Sequence, residues 1–254
     1  MDSNSIVQEI QEMTKRLRLP HIRRHFHDLS LSAKAQRWDP IELIRVLLEV
    51  EINGRNASTL EVRRLAAGLP QNTSIENFDH SISSIPTRTI NGLINLEWIG
   101  RKENVLVVGP SGTGKSFFAQ ALGTCAIEAG MRVSWYSTES LFSYIELAKA
   151  TDTLTKALLR LARLDLVILD DLGILPIGQL GSQALYRVVN ACYETTSMIV
   201  TSNFPIANLD EVITPRSLAS ALVDRLAHHA HHIETSGDSI RLSQALSGKG
   251  VVPL

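Results

Sequence analysis

The chain is 254 residues long, 44% hydrophobic, with a formal net charge of −1 and two cysteines. This length can bury one α/β core with room for a small extra domain, and the near-neutral balance excludes a uniformly cationic surface. Cys125 and Cys192 sit in helix-like apolar runs without metal or redox spacing, which excludes a disulfide framework, and no stretch approaches the roughly 20 apolar residues of a membrane span, so the sequence predicts a soluble, cytoplasmic protein with no membrane partner.

At the N-terminal end, Ile6-Val7, Ile10, Met13-Thr14 and Leu17 recur at helical spacing until Pro20 interrupts. Between Thr14 and Arg37 stand seven basic residues (Lys15, Arg16, Arg18, Arg23, Arg24, Lys34 and Arg37) against one acid, Asp28. Composition alone allows two readings of this segment, a phosphate-binding surface or a solvated helix face. Pro40 opens a second amphipathic helix through Glu49, with Asp39 as its N-cap. A third helical stretch, Leu60 to Ala67, stops at Gly68-Leu69-Pro70 and gives way to the polar linker Gln71-Asn72-Thr73-Ser74. The sequence therefore divides near residue 75, with a small all-helical domain over 1–75 and an α/β domain over 76–254.

The second domain opens on the apolar run Val105–Val108, which leads into Gly109-Pro110-Ser111-Gly112-Thr113-Gly114-Lys115-Ser116 and then the helical Phe117–Leu122. This is a complete phosphate-binding loop between a strand and a helix, and it predicts a nucleoside triphosphate ligand. Glycine is needed at 112 and 114 so that successive N–H groups can converge on the phosphates. Lys115 is placed to reach the β and γ phosphates, and Ser116 to offer its hydroxyl to Mg²⁺ at the positive end of the following helix.

Strands are predicted at Asn104–Val108, Arg132–Tyr136, Leu166–Leu169 and Met198–Thr201, alternating with helices as in a parallel sheet covered on both faces. The helix after the phosphate loop should end at Gly130 with a left-handed cap. Further helices are predicted at Glu139–Lys149, Thr153–Arg163 and Leu180–Tyr193; the second carries a leucine stripe opposite a basic one of Lys156, Arg160 and Arg163. The third strand ends in Asp170-Asp171, which puts two carboxylates at the sheet edge where open α/β folds bind ligands. Asp170 is the candidate Mg²⁺ holder, commonly through water, and Asp171 the candidate base or orienter of the attacking water. The next strand ends Thr201-Ser202-Asn203, which could be ordinary turn formers; the position makes Asn203 the candidate γ-phosphate sensor.

Arg216 to Ala230 reads as a helix, followed by a short strand near His232–Glu234, and little room is left after Asn203 for a helical lid. Arg216 and Arg225 are each placed either for donation to a neighbouring subunit's phosphate or for an intramolecular salt bridge. His228 and His232 would share a helical face, but the cluster straddles the helix end without accompanying acids or cysteines, which argues for capping over metal binding.

Taken in order, Leu17-Arg18-Leu19-Pro20, Asn77-Phe78-Asp79, the phosphate loop, Leu166–Gly173, Thr201-Ser202-Asn203 and Leu222–His231 resemble the IstB family of ATP-binding helper proteins of bacterial insertion-sequence transposition. The resemblance runs from about Leu17 to Leu242, and extends to the DnaC helicase loaders and, more distantly, the DnaA initiators. It implies an AAA+ ATPase using ATP and Mg²⁺ that oligomerises on double-stranded target DNA and recruits and stimulates a transposase. In that pattern Arg225 is the arginine finger and Arg241 the second sensor, the Asp170-Asp171 pair is usual, and Lys156 and Arg160 lie near the DNA channel. The stretch around Arg55–Leu65 is less basic than the pattern. The alternative is a DnaC-like loader, whose N-terminal domain would serve a protein partner; a small-molecule kinase would need an acceptor pocket and lid that no segment supplies.

Overall fold

The computed structural model describes residues 3–70, 73–173, 176–240 and 242. The chain forms two compact units, Met1–Val62 and Arg63–Leu254. The division falls inside a helix, ahead of the polar linker from which the sequence places it near residue 75.

The first unit contains α1 (Ser3–Arg16), α2 (Pro20–Gln36) and most of α3 (Pro40–Ala67). Pro20 does more than interrupt: it occupies the first turn of α2, a helix that the sequence reading does not contain. The N-cap position, Leu19, has no side-chain oxygen, so the exposed N–H groups of the first turn need another acceptor. Glu51 of α3 supplies it: its Oε2 accepts from the N–H of His21 at 3.0 Å and of Ile22 at 2.9 Å. Its Oε1 accepts from Arg55 Nε at 2.7 Å, and Arg55 also donates to the carbonyl of Arg18. The predicted second and third helices are one continuous α3, running straight through Asn53-Gly54. Gly54 is there because the His21 ring lies against it; a Cβ would come within 2.2 Å of that ring. Asp39 caps α3 as expected, accepting from the Ile41 N–H at 2.8 Å.

In the second unit, a short 3₁₀ turn (Ile75–Asn77), α4 (Thr87–Ile94) and α5 (Glu97–Gly100) precede the sheet. Then follow β1 (Asn104–Val108), α6 (Lys115–Glu128), β2 (Val133–Ser137), α7 (Thr138–Ala150), α8 (Leu154–Leu161), β3 (Leu166–Leu172), α9 (Gln179–Cys192), β4 (Ser197–Ser202), a 3₁₀ turn (Ile206–Glu211), α10 (Arg216–Ala227) and β5 (Ala230–Glu234). All five strands are parallel, in the order β2-β3-β4-β1-β5. Helices cover both faces. Leu106, Val167, Leu169 and Val200 bury one face with side chains of α7, α9 and α10, while α6 lies so close to the other that a Cβ on Gly123 would meet Ile168 at 2.5 Å. Gly130 has φ +88° after α6, and the Met131 N–H reaches the Ala126 carbonyl at 2.9 Å, the left-handed cap that the sequence predicts.

This is a parallel sheet flanked by helices, with the phosphate loop between β1 and α6, preceded by a helical segment. Among the described residues no helix is long and apolar enough to cross a membrane.

Candidate nucleotide site and basic surfaces

The parallel order sets β1 beside β4 and β4 beside β3, so the phosphate loop, Asn203 and the acid pair emerge at one edge of the sheet. A cavity of about 360 Å³ at that edge is lined by Ser111–Phe117, Asp171 and Asn203. Lys115, the first residue of α6, is 4% exposed; its Nζ donates to the carbonyls of Gly109 and Pro110, both at 2.8 Å, and to Asn203 Oδ1 at 2.7 Å.

Asp170 and Asp171 occupy a bulge. Leu169 pairs with Val200 and Leu172 with Ser202, which sets both aspartates opposite the single residue Thr201. Thr201 repairs the ladder: its hydroxyl donates to Asp170 Oδ1 at 2.5 Å and accepts the Asp171 N–H at 2.9 Å. Asp171 takes φ +62°, a backbone conformation that costs a side-chain-bearing residue energy and is held here by its neighbours. The extra residue turns Asp171 out of the strand's alternation, and it lines the cavity while Asp170 stays 3% exposed. Gln120 Nε2 lies 3.4 Å from Asp170 Oδ2.

The glycines answer to more than phosphate access. Gly109 (φ +149°) and Gly112 (φ +84°) each lie against the segment after β5; a Cβ would meet the Thr235 carbonyl oxygen at 2.1 Å and Ser239 Oγ at 2.1 Å. That segment clasps the loop through Thr113 Oγ1 with Thr235 Oγ1 at 2.7 Å and the Ile240 N–H with the Gly112 carbonyl at 3.0 Å. Ile240 then lines the cavity together with Asn77, Phe78, Asp79 and Ile82. Phe78 packs on Phe117 and Phe118 at centroid distances of 6.1 and 5.4 Å. The sequence reading assigns none of these a site role; Asn77-Phe78-Asp79 is legible there only as part of a family pattern. Arg241 lies outside the described residues.

Arg216 and Arg225 are handled differently. Arg216 is 81% exposed and faces Asp210 at 3.6 Å. Arg225 makes no ion pair among the described residues; its guanidinium lies over the rings of Tyr186 and Tyr193, at 5.1 and 5.8 Å from their centroids. The histidines part company: α10 ends before His228, whose Nδ1 meets the Tyr193 hydroxyl at 2.9 Å, and His232 belongs to β5. His231 Nε2 lies 2.7 Å from Glu103, whose carboxyl the Arg101 guanidinium holds down at about 2. No group of three His, Cys, Asp or Glu among the described residues could hold a metal.

Of the basic residues, Lys15, Arg23 and Arg24 line a groove of about 720 Å³ in the first unit, with His21 and Ser58. Arg16 and Arg18 are exposed outside it. In the second unit, Lys156 and Arg160 of α8 border a hollow of about 490 Å³ with Arg132 and Arg163. None of Lys15, Arg16, Arg18, Arg23, Arg24, Lys156 and Arg160 makes an ion pair among the described residues.

The family profile described as IstB-like ATP binding protein matches residues 12–248. The chain belongs to this family. Among its relatives, an insertion sequence IS21 protein of Pseudomonas aeruginosa, named for ATP binding, is 32% identical over 237 residues, spanning 93% of this chain and 89% of its own. An insertion sequence IS5376 protein of Geobacillus stearothermophilus, named likewise, is 30% identical over 236 residues, covering 88% and 94%. This IstB-like chain shares its fold with a solved structure of the DnaC helicase loader (TM-score 0.56, 16% identity, 65% of this chain and 98% of that one). It shares it also with AMPPCP-bound DnaA from Aquifex aeolicus (TM-score 0.55, 21% identity, 73% and 58%). At such identities the likeness is one of fold alone.

Proposed function

We propose that this IstB-like chain hydrolyses ATP in a site completed by a second copy of itself, binds double-stranded DNA in the ATP state, and recruits and stimulates a transposase. The observation that carries the reading is the convergence of Lys115, Asn203 and Asp171 on one cavity bounded by the phosphate loop.

Lys115 would exchange the two loop carbonyls and the Asn203 amide oxygen for phosphate oxygens, a stronger charge-assisted contact. The Asn203 amide, freed from the lysine, would then be able to turn and donate its Nδ2–H to the γ-phosphate. Asp171 would orient the attacking water and take its proton, and Arg225 of the neighbouring copy would stabilise charge on the γ-phosphate. Ser116 and Asp170 are hard oxygen donors of the kind Mg²⁺ prefers. Asp170 fits an indirect role, through metal-bound water, because it is buried and held by Thr201 and Gln120. When bound, the ion would neutralise charge on the phosphates.

Lys15, Arg16, Arg18, Arg23 and Arg24, with Lys156 and Arg160, are exposed and make no ion pair among the described residues, which suits the DNA backbone. An oligomer holding bent DNA would spare a transposase an elastic cost of about 1–6 kcal/mol for a bend of roughly 40–90° over a short site. The test is strand transfer by the cognate insertion-sequence transposase, together with ATP turnover with and without duplex DNA. Strand transfer should rise with the protein and ATP, and the rise should vanish in Lys115→Ala. Tight binding to the replicative helicase with strand transfer unchanged would replace this reading with that of a loader.

A further inference from the structure

Several arginines among the described residues are matched to carboxylates: Arg45 to Glu42 and Glu49, Arg55 to Glu51, Arg101 to Glu97 and Glu103, Arg132 to Asp165. Arg225 is matched to aromatic rings. Its guanidinium carbon sits 5.1 Å from the Tyr186 centroid and 5.8 Å from that of Tyr193, within the range in which ring and cation attract. One of its nitrogens, Nη1, donates to the carbonyl of Ala221, one turn back in α10, at 3.0 Å. Tyr186 is a residue of α9 and Tyr193 the residue that ends it, so the support is built on an element packed against α10. Tyr193 is itself fixed by its hydroxyl contact with His228 at 2.9 Å.

The two kinds of support have different chemical consequences. A carboxylate would fix the arginine by engaging its N–H fork and cancelling its charge, so a phosphate would have to displace it. A ring face fixes the plane of the guanidinium and leaves the in-plane donors and the charge available. A long side chain already ordered also loses less conformational freedom when it meets its target.

We propose that Tyr186 and Tyr193 are positioning residues that hold Arg225 ready, still charged, for the γ-phosphate bound by a neighbouring copy of the chain. This rests on the reading of Arg225 as an arginine given in trans. Neither tyrosine touches nucleotide; both act through Arg225.

The test is steady-state ATP turnover by the full-length protein under conditions of confirmed oligomerisation, with ATP affinity measured alongside. Tyr186→Leu should lower kcat by about 3- to 30-fold, the range of a lost cation–π contact, and leave ATP affinity unchanged. Tyr186→Phe keeps the ring and should stay within about twofold. Tyr193→Leu should behave as Tyr186→Leu does. In the Arg225→Ala background Tyr186→Leu should cost nothing further, because the group it positions is gone. Mixing Tyr186→Leu with Asp171→Asn protein should recover turnover at interfaces that pair an intact acid with a well-held arginine. An equal loss from Tyr186→Leu with and without Arg225 would mark a merely structural role and overturn the proposal. So would wild-type turnover in both leucine variants while Arg225→Ala is inactive. Wild-type turnover in Arg225→Ala itself would instead overturn the reading of Arg225, and the proposal with it.

Discussion

Lys115 Nζ and Asn203 Oδ1 lie 2.7 Å apart, joining the start of α6 to the residue after β4 across 88 positions of sequence. The carbonyls of Gly109 and Pro110, each 2.8 Å from the same Nζ, are like Asn203 Oδ1 neutral acceptors, and each is a weaker partner for an ammonium than a phosphate oxygen. These bonds place the cation at the cavity.

Three substitutions should separate along this line. Lys115→Ala removes the main cation from ground-state phosphate and should lower ATP affinity by about tenfold or more. Asp171→Asn should leave affinity within about threefold and cut kcat by about 10²–10⁴, the span of a lost general base. Asn203→Ala should lower turnover more than affinity, since its amide would meet the γ-phosphate only after Lys115 has moved away. Equilibrium binding of a fluorescent ATP analogue and single-turnover hydrolysis read the two quantities independently; equal affinity losses in Lys115→Ala and Asp171→Asn would contradict the division.

Arg225→Ala should bind ATP with near wild-type affinity and hydrolyse it about 10³-fold more slowly or worse. Mixed with Asp171→Asn protein, it should regain turnover, because some interfaces then pair an intact arginine with an intact acid. A mixture that exchanges subunits, as judged by energy transfer between labelled copies, and still shows no recovery would place the arginine's role within its own subunit.

What the sequence made legible follows from where local and tertiary causes coincide. The ends of β1 are legible to the residue because a polar Asn104, an apolar run and Gly109 mark them by themselves. Gly130 was readable for the same reason, since only a left-handed cap explains a glycine after that helix. By contrast, α2 and the unbroken α3 depend on partners distant in sequence. Pro20 and Asn53-Gly54 look like breaks until Glu51 is seen capping α2 and the His21 ring is seen filling the space beside Gly54. The acid pair was legible as a motif; the bulge that separates buried Asp170 from cavity-lining Asp171 was not, because it is set by Thr201 of the adjacent strand. The rings under Arg225 come from another helix and carry no local mark of the task.

The packing of His21 on Gly54 gives a prediction whose sign runs against helix propensity. In a helix interior, Gly to Ala ordinarily stabilises by about 1 kcal/mol. Here the added Cβ would meet the root of the imidazole at 2.2 Å, so Gly54→Ala should instead destabilise the N-terminal unit by about 1–3 kcal/mol. Removing the cap in Glu51→Ala should cost a similar amount, because two N–H groups lose their acceptor. Burial pushes the Glu51 carboxyl up, but Arg55 and the two N–H groups outweigh it and leave it below its ordinary value. A depressed native value means that this stabilisation is complete above the unfolded carboxyl's pKa, about 4.3, and is lost as pH falls through the native one. Urea melts at several pH values should show that loss in the wild type and its near absence in Glu51→Gln.

The basic residues lead to the last prediction, on DNA. If Lys15, Arg23, Arg24, Lys156 and Arg160 meet phosphates, affinity for duplex DNA should be tolerant of sequence and steep in salt. Each contact removed should flatten the plot of log affinity against log salt by about 0.9. Lys156→Ala with Arg160→Ala should thus reduce the slope by up to about 1.8, and Lys15→Ala with Arg23→Ala and Arg24→Ala by up to about 2.7. Arg45 is the matched control, because Glu42 and Glu49 already engage it at 2.7 and 2.9 Å; Arg45→Ala should leave the slope where it was. Binding isotherms in the presence of a non-hydrolysable ATP analogue, from about 50 to 200 mM salt, give each slope directly. An unchanged slope in the N-terminal triple variant would remove that groove from the DNA surface, and a slope lowered equally by Arg45→Ala would show that bulk charge, and not these positions, sets the binding.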